Sequence, residues 1–579
     1  MRYNFVFLAL LLLSINGWGQ NTSNFNDGYI TVFKNASIST STGSAIVLEE
    51  YLPSASTASS PNFSVNLPYN AAPGSTGIVA GGSTTSNGAI SRSENGRYIL
   101  VPGWSTNSTI SSAAIGAANT NNTICAVRPV NGAGAIGTGI TGTSNWFSSH
   151  NDYRGAASDD GTNYWVTGGS IGLLTTTNGT ALTTVSTTST NTRVVNIING
   201  QLYYSTSSGT NGVYKVGTGK PTSTSITSVN LTTSTGAYGF AISPDNLTLY
   251  TNSATGVISR YTYNGSTWSS ASTGLALGNA TGLVVDWTNY TFSLSGTNGA
   301  VIYASSTPSS GNSIIVRAND NGTNAMSGTI IASVAVSGNI FKQIAFSPIK
   351  QTISKGANTP AAGNITKGSS NTVLFQMNLS ADEGNSTLKK VVLATSGTAV
   401  LGTDISNFRI VDDANNDGAA SAGEISAGFT TTGTISGSNI IFSGLSLSSY
   451  ITQGSSKNFL IIGDVAVNAT AASTFTPSIA SNNTINSIAY TSNLTNAGGS
   501  LVTMGTSTNT PTGNTLTIVA SSSTVTFDAN GGSGNMANQT SSAAANLTSN
   551  SFTRTCFTFT GWNTAANGTG TAYADGANY

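Results

Sequence analysis

The residues best suited to chemistry lie in one twelve-residue stretch, DANNDGAASAGE, from Asp413 to Glu424. Side chains with oxygen atoms stand at positions 1, 3, 5 and 12 of this stretch, and Gly418 stands at position 6, where a calcium loop turns sharply. Calcium takes about six to eight hard oxygen ligands. We therefore predict a calcium site, completed by a water molecule near Ser421. The predicted ligands are Asp413, Asn415, Asp417, the backbone carbonyl of Ala419, and Glu424.

We expect the role of this calcium ion to be structural. A bound ion would stiffen a long loop whose ordering otherwise costs conformational entropy, and millimolar extracellular calcium would fill even a weak site. No helical pattern flanks the loop, so we expect it to follow a strand rather than to form an EF-hand. The alternative is an acidic, asparagine-rich hairpin turn that binds no metal.

A second candidate chemistry is nucleophilic catalysis by Ser170, which lies in the only G-x-S-x-G motif of the chain, GGSIG. In a hydrolase this motif leads into a helix, and the partner histidine follows it in the chain. Here LLTTTNGT follows the motif, and the single histidine, His150, precedes it. We therefore predict that Ser170 is not catalytic. One histidine also cannot form a cluster of imidazoles, so we interpret His150 as a loop residue.

Several carboxylates recur in the first half of the chain, and two of them facing each other could bind or cleave a glycan. They are Glu94, Asp159, Asp160, Asp245 and Asp286. Most of them stand in turns, where an Asp side chain accepts hydrogen bonds from its own backbone. We therefore predict that they are structural and that the chain is not an enzyme.

Composition indicates which elements must position these residues. Only 7% of the residues are charged, against roughly 25% in an ordinary soluble protein, and there are 66 glycines. Threonine favours strands, whereas Gly and Asn favour tight turns, so we expect an all-β fold of short strands. Twenty Lys and Arg balance twenty Asp and Glu with no long basic tract, which excludes nucleic acid as a predicted partner.

The amino-terminal residues 1–19 have the layout of a secretory signal peptide. Arg2 supplies a positive charge, and an apolar run extends over residues 5–13. That run is far shorter than the roughly 20 residues needed to cross a bilayer as a helix. We therefore predict cleavage after Gly19, export, and no transmembrane segment in the mature chain. Cys125 and Cys556 lie far apart, so we expect no disulfide framework.

Five segments between residues 20 and 349 share one pattern: an apolar strand, a turn rich in Gly, Asn or Asp, and a strand with aromatic residues. They are 91–104, 153–169, 192–217, 238–263 and 282–305. Loose self-similarity of this kind is typical of a propeller or a solenoid. The segments YRGAASDDGTNYWVTGG, NGQLYYSTSSGTNGVYKVG and FKQIAFSP resemble a family of secreted bacterial β-propellers, although Lys342 and Gln343 stand where that family has Arg-Gly. The resemblance implies a β-propeller-like domain over 20–349. The alternative is an array of β-sandwiches.

The spacing of apolar residues changes after residue 349. Segments that alternate apolar and polar residues predict an antiparallel, immunoglobulin-like β-sandwich over 350–505. These segments are 371–381, 389–397, 406–413, 439–447 and 457–467. The stretch 506–522, which begins TSTNTPTGNTL, is interpreted as an extended linker because it contains proline and few residues that could pack.

The last segment, 523–579, contains VTFDANGG, FTFTGWNT and GTGTAY at fixed spacings, with an apolar Leu547 between the first two. These pieces resemble a Listeria–Bacteroides repeat, a small β-grasp-like module of bacterial surface proteins, including internalins. Cys556 stands where that family usually has glycine. The family pattern normally continues one strand beyond Tyr579, so the resemblance implies an incomplete module.

Together these features predict an exported bacterial cell-surface protein that is not catalytic. We expect it to bind or display through a β scaffold, in adhesion or interaction, with an extracellular protein or glycan as its partner. The alternative is a secreted propeller enzyme that acts on glycans or lactones and carries accessory β modules.

Overall fold

The structure of the protein is a computed structural model. It describes residues 24–26, 28–36, 43–69, 76–81, 87–105, 124–143, 146–147, 153–207, 209–232, 237–253, 255–287, 290–293, 296, 298–307, 311–322, 326–336, 339–348, 350–386, 388, 390–427, 430–443, 445, 447, 451–479, 494–495, 502–504 and 511–579. The predicted signal peptide and His150 therefore lie outside the described residues.

The first part of the chain forms six four-stranded antiparallel sheets. Their strands are β1 (Ile30–Ala36), β2 (Ala45–Tyr51), β3 (Phe63–Asn66), β4 (Ser91–Arg92), β5 (Tyr98–Ser105), β6 (Ile124–Asn131), β7 (Ile140–Thr141), β8 (Tyr153–Ser158), β9 (Tyr164–Gly168), β10 (Leu173–Thr176), β11 (Thr183–Ser186), β12 (Thr192–Ile198), β13 (Gln201–Thr206), β14 (Gly212–Val216), β15 (Ser228–Asn230), β16 (Phe240–Ile242), β17 (Thr248–Asn252), β18 (Val257–Tyr263), β19 (Trp268–Ala276), β20 (Ala280–Asp286), β21 (Val301–Ser306), β22 (Asn312–Asn319), β23 (Thr329–Ala335) and β24 (Asn339–Phe346).

The six sheets follow one another as the blades of a propeller do. In five of them the four strands are consecutive in the chain, from β4–β7 to β20–β23. In the remaining sheet the last strand, β24, pairs with β1 and is followed by β2 and β3. Strand β24 also contacts β20 on one side and β4 on the other, so that the last strand joins the two ends of the series. The predicted propeller-like architecture is confirmed.

Local turn chemistry explains the hairpins within these sheets. Asn199 and Gly200, which join β12 to β13, have φ angles of 53° and 75°, a left-handed conformation that Asn and Gly adopt at low cost. An aromatic residue of the strand that follows this turn packs between neighbouring sheets, beside Trp165. Tyr204 is fully buried and stacks on Tyr214 with ring centroids 5.0 Å apart.

Lys342, one of the two residues that depart from the propeller family's pattern, is fully buried in β24. Its Nζ donates a hydrogen bond to the Gly81 carbonyl at 3.1 Å and lies 5.9 Å from the centre of the Phe33 ring. Burial lowers the pKa of Lys342 to about 7. The lysine therefore takes part in the packing of this sheet against Gly81 and Phe33.

The second part of the chain forms two packed sheets. Their strands are β25 (Lys350–Lys355), β26 (Gly363–Thr366), β27 (Thr372–Glu383), β28 (Lys390–Gly397), β29 (Ile405–Asp412), β30 (Thr431–Thr432), β31 (Thr434–Ser436), β32 (Asn439–Ser443), β33 (Ser456–Val465), β34 (Thr474–Ile479), β35 (Leu494–Thr495), β36 (Val502–Met504) and β37 (Leu516–Val519). One sheet has the order β30-β29-β33-β27-β25-β36, and the other has the order β26-β37-β34-β28-β32-β31, with β35 beside β28. A single apolar core that includes Phe375, Phe408 and Phe459 lies between them. This is the predicted β-sandwich, but β25 pairs with β36 and β26 pairs with β37 in parallel rather than antiparallel.

The carboxyl-terminal boundary of the sandwich differs from the expected linker at 506–522. Strand β37 pairs with both β26 and β34, and its residues Leu516 and Ile518 are buried in the sandwich core. Leu516 and Ile518 are buried and alternate with the half-buried Thr517 and Val519, which is the pattern of a strand with one face in the core. The structure therefore places residues 516–519 in the sandwich rather than in a linker.

The propeller-like sheets and the sandwich are joined by direct hydrogen bonds. The Asn385 amide donates to the Phe25 carbonyl at 2.8 Å, and the Asn385 side chain donates to Asn26 Oδ1 at 3.0 Å. Arg97, at the turn before β5, forms an ion pair with Glu383 at 2.9 Å. The end of β27 therefore docks against the propeller through polar contacts on both sides.

The last described segment contains two small two-stranded sheets, formed by β38 (Ser523–Val525) with β39 (Gln539–Ser541) and by β40 (Trp562–Asn563) with β41 (Ala572–Tyr573). Its core consists of Phe527, Met536 and Leu547, with Trp562 packed against them. The ring centroids of Phe527 and Trp562 lie 4.7 Å apart. Leu547, which the sequence analysis singled out as the middle apolar position, is therefore a core residue.

The cysteine that replaces the family's usual glycine in this segment adopts a strained backbone conformation. Cys556 has a φ of 66°, in the left-handed region that a β-carbon disfavours by about 1–2 kcal/mol. We expect Cys556→Gly to stabilise residues 524–579 by about 1 kcal/mol, measured as slower amide hydrogen exchange of this segment in the full chain. Cys556→Ala, which keeps the β-carbon, is the matched control and should give no such gain. Equal protection from amide hydrogen exchange in both variants would contradict backbone strain at Cys556.

Candidate metal loop and propeller cavity

The predicted calcium loop begins directly after β29 and ends in a short helix, α1 (Ala422–Ser426). The expectation that no helix flanks the loop is therefore wrong. Ser421 and Glu424 form a capping box, in which Ser421 Oγ accepts from the Glu424 amide at 3.3 Å and Glu424 Oε2 accepts from the Ser421 amide at 3.0 Å. The S-x-x-E spacing of these two residues was a visible signal for this helix.

The first predicted ligand, Asp413, is only 3% exposed. Its Oδ2 accepts hydrogen bonds from the Gln376 side chain at 2.5 Å and from the Gly418 amide at 3.3 Å. Its Oδ1 is buried and has no hydrogen-bond partner. Oδ2 thus holds the loop in place, whereas Oδ1 can still accept a hydrogen bond or bind a cation.

The next two predicted side-chain ligands, Asn415 and Asp417, are exposed and shape the loop locally. Asn415 Oδ1 accepts from the Asp417 amide at 3.1 Å, and Asp417 Oδ1 accepts from the Ala419 amide at 2.8 Å. The Asn415 side chain also donates to Asp417 Oδ2 at 2.8 Å. Both side chains therefore shape the loop, and Asp417 contacts the fourth predicted ligand residue, Ala419.

Glu424, the last predicted ligand, folds back onto the start of the loop. Its Oε1 accepts from the amide of Ala414, the neighbour of Asp413, at 3.0 Å. Burial works to raise the pKa of Glu424, but hydrogen bonds from Ser421 and Ala414 outweigh it and hold the pKa below the usual value. The carboxylate is therefore ionised at neutral pH and is hydrogen-bonded to the residue that follows Asp413 in the chain.

Gly418 is required where the loop turns against the sandwich. Its φ is 75°, and a β-carbon at this position would lie 2.5 Å from Cβ of Asn358. Asn416, with a φ of 56°, supplies the second left-handed residue, and its carbonyl accepts from the Asn358 side chain at 2.7 Å. The Asn458 side chain donates to Asn416 Oδ1 at 2.9 Å. The turn is thus pinned to the sheet from two sides.

The donor set of this loop suits a hard cation, since all its ligating atoms would be oxygens. Across the described parts of the chain, however, no three His, Cys, Asp or Glu side chains are gathered as a metal cluster. The hydrogen bonds of Glu424 explain this, because they direct its carboxylate to the helix cap and the Ala414 amide. The structure therefore brings the five predicted residues into one loop without assembling their carboxylates around a point.

Most of the remaining sequence candidates occupy turns, whereas Asp286 is the last residue of β20. Ser170 lies between β9 and β10 in a hairpin, so no helix follows it and the arrangement of a nucleophile elbow is missing there. Asp159 accepts from the amides of Asp160 and Asn163 at 2.7 and 3.1 Å. Burial works to raise the pKa of Asp159, but these hydrogen bonds prevail and lower it. Asp245 likewise accepts from the Leu247 amide at 2.9 Å.

A cavity of about 190 Å³ lies where the edge strands β4, β12, β16, β20 and β24 converge. Apolar side chains such as Phe240 and Leu283 make up much of its wall. Arg92 and Glu94 are the only charged residues among the described residues that line it. Glu94 forms an ion pair with Lys220. The cavity therefore contains one carboxylate, already paired, rather than the two facing carboxylates of a glycoside hydrolase.

Sequence reasoning did not identify this cavity. Its lining comes from five short segments spread over residues 90–346, and none of them carries a motif. Only the order of the sheets brings them together. The recurring apolar strands that begin each unit were the available signal, because they form the edge strands that converge here.

Comparison with known proteins identifies the last segment. Residues 524–579 match the model of the Listeria-Bacteroides repeat domain, as the motifs of this segment predicted. No curated protein matches the chain. Among solved structures, similarity is found to a putative 6-phosphogluconolactonase from Bacteroides fragilis, with 11% identity and a TM-score of 0.31 over 54% of this chain and 83% of that chain. A putative 6-phosphogluconolactonase from Bacteroides uniformis gives 11% identity and a TM-score of 0.29, over 53% of this chain and 83% of that chain.

A helix with the length and apolar character needed to span a bilayer does not occur among the residues described above.

Proposed function

We propose, from the premise that residues 524–579 are a Listeria-Bacteroides repeat domain, that this chain is an exported bacterial cell-surface protein without catalytic activity. In this proposal it binds an extracellular protein or glycan through the loops of its β scaffold, in adhesion or display. The observation that carries the proposal is the repeat itself, because this module is found in surface or secreted proteins. The amino-terminal sequence, which has the layout of a signal peptide, supports export.

The charge distribution of the propeller cavity supports a binding role over a catalytic one. Glycoside cleavage needs two carboxylates about 5–10 Å apart on either side of the bond. The described lining offers Glu94 alone, and Lys220 already neutralises it. Asp159 and Asp245 are used to cap turns. Each of these carboxylates therefore has a structural task that accounts for its position.

The junction between the propeller and the sandwich supports a scaffold role. Asn26, Asn385, Arg97 and Glu383 tie the two parts together through hydrogen bonds and an ion pair. A Cβ on Gly132 would lie only 2.2 Å from the Gly384 amide nitrogen, so the two backbones approach closely. Such contact favours two parts that move together, which suits a protein that holds a binding surface at a fixed orientation.

Surface location is tested on bacterial cells that produce the full chain. We expect the protein in the surface or extracellular fraction, and we expect protease added to intact cells to remove it while a cytoplasmic marker protein survives. A chain that stays inside protease-treated cells would contradict the proposal.

Catalysis is tested on the purified full chain with a panel of polysaccharides and lactones. We expect no turnover above that of a buffer blank. Turnover that Glu94→Gln abolishes, and that Asp160→Asn at an exposed turn leaves intact, would instead establish the alternative of a secreted propeller enzyme. The two variants differ in location but remove the same charge, so their comparison separates the cavity from general effects of charge.

A further inference from the structure

We propose that the loop from Asp413 to Glu424 binds one calcium ion, and that the bound ion holds helix α1 on the outer face of the six-stranded sheet. This inference is independent of the proposed function, because it concerns the sandwich and not the propeller or the repeat. Three features support it: Asp413 Oδ1 is buried without a hydrogen-bond partner, Glu424 bonds to the start of the loop, and α1 packs on the sheet.

The Asp413 carboxylate provides the observation that points to a ligand. The residue is 3% exposed, and its Oδ1 is buried without a hydrogen-bond partner. Burying an acceptor of this kind without a partner destabilises the folded state, and more so when the acceptor is charged. Its other oxygen accepts from the Gly418 amide within the loop and from the Gln376 side chain of β27, so the carboxylate lies between the loop and the sheet. A cation in the loop would remove this cost.

The remaining donors belong to the same loop, although their carboxylates are not gathered around one point in the described structure. Asn415 and Asp417 point into the loop, where their side-chain oxygens accept from amides two residues further on. A carboxylate or amide oxygen has lone pairs for both an amide and a metal ion. Glu424 lies next to Asp413 through its bond with the Ala414 amide. Binding therefore requires the Glu424 carboxylate to rotate from its capping position and the loop carboxylates to converge on the ion.

The donor chemistry selects calcium over other common cations. All the ligands are carboxylate, amide or carbonyl oxygens, which exclude zinc and copper sites built on sulfur and nitrogen. A flexible loop of this length matches the tolerant geometry of calcium, whereas magnesium demands a near-ideal octahedron and retains most of its waters. Extracellular calcium modules bind with Kd values of roughly 10⁻⁴ to 10⁻³ M.

Helix α1 gives the ion a structural consequence. Ile425 in the helix and Ala420 before it pack against Val411, Leu460 and Ile462, a small apolar cluster on the sheet face opposite the main core. A helix of five residues is far too short to be stable alone, so this packing depends on the loop that precedes it. An ion that joins Asp413 at the end of β29 to Glu424 in α1 would fix the helix over the cluster.

The experiment uses the full chain, first stripped of metal with a chelator and then titrated with calcium chloride in a calorimeter. We expect one binding event with millimolar or tighter affinity. Asp417→Asn and Glu424→Gln should each weaken it at least tenfold, since both remove a charge while keeping the side-chain shape. Gln at position 424 can still form the capping box, so the fold of α1 is preserved. Asp160→Asn is the matched control and should bind as the unmodified chain does.

Hydrogen exchange of the same samples tests the second half of the inference. We expect calcium to slow amide exchange over residues 413–427 at least threefold in the unmodified chain and in Asp160→Asn, but not in Glu424→Gln. Calcium at 5–10 mM is about tenfold above the expected Kd, so absence of binding at that concentration would overturn the site. Binding that both loop variants leave unchanged would overturn it as well. Binding without slower exchange in this segment would overturn the role assigned to the ion.

Discussion

Replacing Asp320 with alanine is expected to destabilise the propeller by about 3–5 kcal/mol, because the substitution leaves a buried arginine without its counter-charge. Arg260 Nη1 donates to both oxygens of Asp320, at 3.1 and 2.9 Å. The side chains of Arg260 and Asp320 are only 6% and 2% exposed. Removal of one partner from such a pair exposes the full desolvation cost of the other.

Neighbouring groups increase the expected effect. The Tyr250 hydroxyl donates to Asp320, and the Asn298 side chain donates to the Tyr250 oxygen at 2.7 Å. The Gly322 amide also donates to Asp320 Oδ1, at 2.8 Å. Burial, and then the nearby Asp320 charge, raise the pKa of Tyr250 well above its usual value, so the hydroxyl keeps its proton and donates. Loss of Asp320 therefore leaves several buried donors unsatisfied at once.

The measurement is the shift in thermal or denaturant unfolding of the full chain. Glu94→Gln is the matched control, because the Lys220–Glu94 pair is 32% and 21% exposed and should contribute no more than about 1 kcal/mol. The double substitution Arg260→Met with Asp320→Leu should restore part of the stability, since it removes both charges together. Equal effects of Asp320→Ala and Glu94→Gln would contradict a special role for the buried pair.

The second large effect expected is a loss of stability as the pH rises from about 4.5 to 7, caused by Glu50. Its carboxylate is fully buried in β2 and accepts from the Asn26 amide, the Asn62 side chain and the Ser347 hydroxyl. Burial raises the pKa of Glu50 to about 7, and these hydrogen bonds only partly oppose it.

The sign of the pH effect follows from this raised pKa. In the unfolded chain Glu50 ionises near pH 4.5, whereas in the folded chain it keeps its proton until about pH 7. The protonated acid therefore contributes stability that is fully present below pH 4.5 and is lost as the pH rises through 7. A shift of this size corresponds to about 3 kcal/mol.

Thermal unfolding of the full chain between pH 4 and 8 measures this contribution. We expect Glu50→Gln to flatten the decline, because the amide does not ionise, and to be more stable than the unmodified chain at pH 8. Glu49→Gln is the matched control: Glu49 points to the other face of the same strand, where it pairs with Lys34 and accepts from the Tyr51 hydroxyl. A pH dependence that survives in Glu50→Gln but not in Glu49→Gln would contradict the assignment.

The Glu50 network also touches the junction with the sandwich. Asn26, which donates to Glu50, accepts from the Asn385 side chain, and Asn385 in turn accepts from the Gln453 amide at 3.2 Å. Ionisation of Glu50 therefore changes the charge at one end of a chain of hydrogen bonds that connects the first propeller sheet to the sandwich. Its effect should accordingly be seen in both parts of the protein.

Local features of the chain were predictable from the sequence. Turns such as Asn199-Gly200 depend on the backbone preferences of two residues, and the candidate calcium loop depends on the spacing of twelve. The repeat at 524–579 was recognisable for the same reason, because its motifs are short and contiguous. The prediction of a linker at 506–522 did not anticipate strand β37. This strand pairs with β26 and with β34, and both partners lie far from it in the chain.

The sequence by itself thus determined the all-β class, the hairpin turns, the candidate calcium ligands and the terminal module. Only the tertiary structure decided which polar residues are buried. Arg260 and Asp320 are 60 positions apart, and nothing in either neighbourhood marks them as a pair. Glu50 lies beside another glutamate in a strand and becomes buried only when Asn26 and Ser347 close over it from both ends of the propeller. Burial depends on which strands pair across long distances in the chain, so only the tertiary structure shows it. A turn or a loop depends on its own neighbouring residues, so the sequence is enough to predict it.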